Sequence, residues 1–221
     1  MAINLNKITL EKQGDSHKID LTKGGNVSSR EIIINLNWSQ EPQKKGFFSN
    51  LFGGSDPVDL DLGCFYLLND GQKTVIDGLQ FAQGQGGAKD KSTKQGKFTG
   101  KPWIWHTGDD RDGSVGSGEN ILVNPAGLQD INRIIVYCFI YKGAAKWEET
   151  NAVVTIKVTD NTDVVVEMGK QYGSKKFCAI AELIFDAKNS ITVKKLITFH
   201  DGHGDCDKAY NWGMQWAPGH K

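Results

Sequence analysis

Short runs rich in Ile, Val, Phe and Tyr recur between turns of Gly, Asn and Asp, and helical periodicity is scarce. Runs of that length and composition are strands. They fall at 3–10, 17–22, 31–38, 60–68, 101–105, 131–141, 152–159, 163–168, 177–186 and 191–199. The run from Val153 to Val158, the turn at Asp160-Asn161 and the run Val164-Val165-Val166 read as a β-hairpin. Many short strands with frequent turns predict an all-β fold, an antiparallel β-sandwich with few short helical turns. The best helical stretch is a turn or two at 124–130, where Pro125 suits a first helical position. At 221 residues one domain suffices. We expect the sandwich over 1–199 and a C-terminal extension packed on it over 200–221.

Two insertions interrupt the strands. Residues 40–58 carry Phe47, Phe48, Leu51 and Phe52, which if exposed would form an apolar patch for a partner or a membrane surface. The bland alternative, slightly favoured, is a loop folded back on its own body. Residues 83–100 are rich in Gly, Lys and Gln but lack phosphate-loop spacing, so they read as a mobile surface loop.

Lys plus Arg equals Asp plus Glu at 26 each, which gives no reason to expect nucleic acid as a partner. No signal-peptide h-region opens the chain, and no apolar run approaches the ~20 residues of a membrane span. The four cysteines form no C-x-x-C pair, and three sit in strand-like runs. Together these features predict a reduced, cytoplasmic protein. Cys206, flanked by Gly204, Asp205 and Asp207, is expected to be the least buried of the four.

Carboxylates concentrate in two places. Residues 106–120 gather Asp109, Asp110, Asp112 and Glu119 among Gly108, Gly113, Gly116 and Gly118. Asp59 and Asp61 enter the run Leu62 to Leu68, and residues two apart on a strand share a face. Like charges on one face repel unless something positive lies between them. A hard cation with oxygen ligands, above all Ca²⁺, would satisfy both groups together. Lys101 or Arg111 could serve instead, and composition does not decide between them.

The acidic loop is no EF-hand. With Asp110 first, the sixth position is Val115 where Gly belongs, and the twelfth is Ile121 where Glu belongs. His106 beside Asp109 and Asp110 could act as a base in a hydrolase, but no nucleophile elbow accompanies it. A third possibility is a Ca²⁺-dependent carbohydrate- or small-ligand-binding sandwich with Trp103, Trp105 or Trp147 as platform. The tail His200-Asp201-Gly202-His203-Gly204-Asp205-Cys206-Asp207 fits no common zinc spacing and reads as structural, docked by Trp212 and Trp216.

The segment His106-Thr107-Gly108-Asp109-Asp110-Arg111 resembles the H-T-G-D-N-x signature of bacterial TerD-domain tellurite-resistance and stress-response proteins. Leu21-Thr22-Lys23-Gly24-Gly25-Asn26-Val27-Ser28 resembles the family's opening motif, Asn37-Trp38 falls where the family has G-W, and Asp59-Leu60-Asp61 matches its D-L-D strand. The segment from Lys44 to Gly54 is similar to the TerZ branch. The resemblance spans roughly 19–199. It implies a calcium-binding, cytoplasmic β-sandwich without established enzymatic activity, working with other proteins of the same stress response. Asp59, Asp61, Asp109 and Asp110 carry over as ion ligands. Asp112, Glu119 and Asn120 carry over less well, because the family's loop continues T-G-x-G-x-G-D-D-E. Fewer carboxylates there imply weaker binding, or one ion where the family places two.

Overall fold

The computed structural model describes residues 7–22, 31–38, 58–81, 87–110, 116–143, 145–168, 171–187 and 189–217. Among these residues thirteen strands form two facing sheets. In chain order they are β1 (Lys7–Thr9), β2 (Ser16–Asp20), β3 (Ile32–Asn37), β4 (Asp59–Leu68), β5 (Lys73–Asp77), β6 (Gly96–Lys97), β7 (Ile104–His106), β8 (Glu119–Val123), β9 (Ile131–Lys142), β10 (Val153–Val158), β11 (Asp163–Glu167), β12 (Phe177–Asp186) and β13 (Ser190–His200). One sheet runs β1-β11-β10-β3-β8-β7-β6 and the other β2-β13-β12-β9-β4-β5. Every pairing between these strands is antiparallel except β1 against β11. The all-β sandwich expected from the sequence is therefore the fold.

The hairpin β10–β11 forms with Val154 opposite Val166 and Thr155 opposite Val165. The turn at 124–130 is a 3₁₀ helix, Pro125–Gly127, capped by the Asn124 side chain. The sequence reading missed three strands: β5, β6 and β8. The stretch 83–100, expected to be a mobile loop, contains β6 among its described residues and buries Gln95, whose side-chain amide donates to the His106 carbonyl at 2.9 Å.

Strands β4 and β9 are covered on both faces, which is why their sequences are nearly continuous apolar runs rather than alternating ones. Leu60, Leu62 and Cys64 of β4 enter the core between the sheets, with Val136 and Cys138 of β9. Phe65, Tyr137, Phe139 and Phe177 belong to a second cluster, roofed by Cys206, Trp212 and Trp216. Helix α1 (Gly78–Phe81) follows β5, and helix α2 (His203–Ala209) carries the chain onto this second cluster.

Hydrogen bonds to two buried carboxylates and one cation–π contact fix that roof. His203 Nε2 lies 2.8 Å from Asp77 Oδ2, which also accepts the Tyr137 hydroxyl. Asp207 accepts from the backbone of Gly213 and Met214 and from Trp216 Nε1 at 2.7, 2.8 and 2.9 Å. Arg133 lies 4.3 Å over the Trp212 ring. Cys206, expected to be the least buried cysteine, is fully buried. It sits on the inward stripe of α2, and burial, aided by Asp205 and Asp207, pushes its thiol up to about 12.

Candidate metal centre

Strand β5 pairs with β4 only as far as Gly63 opposite Asp77. Beyond that point β4 continues to Asp59 with its free edge turned toward the loop after β7. Side chains complete the ladder there. The Leu62 N–H donates to Glu119 Oε2 at 2.8 Å, and the Leu62 carbonyl lies 3.1 Å from His106 Nε2. Glu119 Oε1 accepts the Asp110 N–H at 2.8 Å. One carboxylate at the start of β8 thus ties β4 in one sheet to the 107–110 loop of the other. Gly118, just before it, has φ +61, and a Cβ there would meet the Leu36 carbonyl oxygen at 2.0 Å, so the chain can enter β8 only with glycine.

This clamp sets the positions of three carboxylates. Asp61 alternates with Leu60 and Leu62, which face the core, so it lies on the opposite side of β4. Asp59, Asp61 and Asp109 each offer an oxygen within 4.8 Å of the other two. Asp61 is fully buried, Asp59 is 6% exposed and Asp109 is half-buried. A calcium ion binds oxygens at about 2.3–2.6 Å, so ligands on opposite sides of one ion sit near 4.8 Å apart. The all-oxygen donor set and this close approach suit a hard divalent cation.

The remaining candidates take other places. Asp110 is buried beside the triad, and its N–H is held by Glu119. Glu119 is 1% exposed, and burial, reinforced by the charges of Asp61 and Asp109, raises its carboxyl well above the usual range. Its two oxygens already receive backbone N–H groups, so it acts as a strut for the site. Asn120 faces Asn35 across β8 and β3, and its amide oxygen accepts from Asn35 Nδ2 at 2.9 Å. Asp112 and Arg111 lie outside the described residues, as does the apolar segment with Phe47, Phe48, Leu51 and Phe52. Lys101, the alternative cation, pairs with Asp70 at 2.6 Å and Asp130 at 3.7 Å instead.

Two residues named in the other readings are engaged within the fold. His106 is fully buried, with Nδ1 accepting the Gly108 N–H and Nε2 against the Leu62 carbonyl. Both ring nitrogens are thus engaged by backbone, and Phe81 packs on the ring at 5.0 Å. Trp147, named as an exposed platform, is fully buried and donates to the Lys175 carbonyl.

A search of the curated proteins finds the tellurium resistance protein TerA of Alcaligenes sp, 32% identical over 219 residues. This likeness supports the Ter/TerD-domain family for the chain. The match covers 99% of this chain and 60% of that protein, so the chain spans about three fifths of its relative. That relative carries the TerA name, whereas the TerZ-like segment lies among the residues not described. No family model matches. Two solved structures share the fold. A protein of unknown function has a TM-score of 0.55 at 16% identity, covering 84% of this chain and 98% of that one. A homologue of the telluride resistance protein TerD from Streptomyces coelicolor has a TM-score of 0.51 at 15% identity, covering 80% and 94%. No described helix is long and apolar enough to cross a membrane.

Proposed function

We propose that this Ter-family chain is a calcium-binding, non-enzymatic module of a tellurite-resistance and general stress response, acting in the cytoplasm as a scaffold for other proteins of that system. The convergence of Asp59, Asp61 and Asp109 within 4.8 Å carries the reading. A bound Ca²⁺ would offset most of the charge of the three carboxylates and fasten the 107–110 loop to β4. Asp59 and Asp61 hold it from the sheet, and Asp109 holds it from the loop. The sealed His106 supports a role without catalysis. The four free cysteines, all buried, are compatible with a reducing compartment.

Titration calorimetry of the metal-stripped chain with Ca²⁺ and with Mg²⁺ tests the ion. Preference for Ca²⁺ is expected, and absence of binding refutes the reading. The partner surface is assigned to the segment 46–54 with its four large apolar side chains. Deleting that segment should leave Ca²⁺ affinity unchanged while abolishing co-purification with the other proteins of the resistance system. Retained co-purification would place the partner surface elsewhere.

A further inference from the structure

Strands β9 and β12 bring two of the four cysteines face to face. Cys178 is directly opposite Cys138 in the antiparallel register. Both belong to the inter-sheet core, so their side chains leave the sheet on the same side. The Ile140 N–H donates to the Lys176 carbonyl at 2.8 Å, which makes Ile140/Lys176 a hydrogen-bonded pair. Pairs alternate along an antiparallel ladder, so Cys138/Cys178, two residues on, is also of that kind. Such pairs have Cα atoms about 5.5 Å apart, inside the range that a disulfide spans, and Cβ atoms about as far apart, so bond formation also draws the two strands together by about 1 Å. Neither of the other cysteines has this arrangement: Cys64 faces Val136 and Ile76, and Cys206 lies on α2.

We propose that Cys138 and Cys178 form an oxidisable cross-strand dithiol that hydrogen peroxide converts to a disulfide joining β9 to β12. One thiol takes an oxygen atom from peroxide, giving a sulfenic acid and one water. The second sulfur then displaces the sulfenic hydroxyl, which leaves with the thiol proton as a second water. The sulfur pair gives up two electrons, and one peroxide becomes two waters. Both thiols are fully buried, and burial pushes them up, so the reaction waits on opening of the sheet. The ladder has a point of weakness for that opening. The register shifts between Ala179 and Ala181, immediately beside Cys178, and a bulge leaves the local hydrogen bonding disrupted. The result is a slow, thiol-reversible staple across the centre of the six-stranded sheet.

The full-length chain would be exposed to graded peroxide, its remaining thiols alkylated after denaturation, and its peptides mapped by mass spectrometry. The half-buried Met214 reports that oxidant reached the protein. The expected product links the peptides of Cys138 and Cys178 with loss of two hydrogens, is reversed by dithiothreitol, and leaves Cys64 and Cys206 alkylated. It should be absent in Cys178→Ala. Conversion of Met214 to its sulfoxide with both core thiols still alkylated would overturn the proposal. So would a disulfide joining Cys178 to Cys206.

Discussion

Asp61 and Glu119 are buried carboxylates within interaction range of each other, yet they do different work. Asp61 is one of three converging carboxylates and a proposed ion ligand, whereas Glu119 accepts two backbone N–H groups that tie the 107–110 loop to β4. Substitution should separate these roles. Asp61→Asn removes one ligand charge and should lower Ca²⁺ affinity by about tenfold or more, since hard-cation affinity follows the carboxylate count. Asp90→Ala, at an exposed position, should leave it unchanged. Equal affinity for both variants in a calorimetric titration would remove Asp61 from the site. Glu119→Gln replaces an acceptor pair with one acceptor and one donor, leaving a buried N–H without its partner. It should cost about 1–3 kcal/mol in urea unfolding of the metal-free chain. Asp59 and Asp61 were legible from the two-residue period of a strand, and Asp109 from the density of carboxylates. The strut was not legible, because Glu119 meets Leu62 only through the approach of two sheets that no local pattern encodes.

Among the elements, the tail shows why local chemistry misleads about burial. Gly204, Asp205 and Asp207 around Cys206 suggested an exposed thiol. Along α2 and its C-cap residue, His203, Cys206 and Tyr210 fall on one stripe at helical spacing, and the stripe lies on the aromatic face of the sheet. Asp207 is itself buried, because it has three N–H donors. Strand β8 escaped notice for a related reason. It opens with the polar Glu119-Asn120 directly after a glycine-rich loop, and both side chains are consumed by cross-sheet and cross-strand hydrogen bonds. Strands β5 and β6 are short edge pieces with little apolar signal of their own. Two outcomes follow for the tail. Trp212→Ala should destabilise the fold by about 3–5 kcal/mol, the usual cost of emptying a buried aromatic site, measured by urea unfolding. Native thiol labelling should leave Cys206 unmodified at pH 8, well below its raised pKa of about 12. Rapid labelling at pH 8 would mean that the roof is open in solution.

For the molecule as a whole, the two-sheet architecture could be read directly from turn spacing and strand composition. The proposed ion site is a property of the assembled sandwich, where carboxylates of a strand in one sheet meet one from a loop leaving the other. Calcium should therefore stabilise the native fold and have little affinity for the unfolded chain. At about a hundredfold excess over Kd the linkage amounts to roughly 2.7 kcal/mol, or a rise in Tm of about 5–10 °C for a domain of this size. The most direct test of the central claim is a calorimetric Ca²⁺ titration of the metal-stripped chain alongside Asp61→Asn. The account predicts saturable binding by the parent chain and its strong weakening in the variant. Parent and variant binding Ca²⁺ alike, or the parent not binding it, would contradict it.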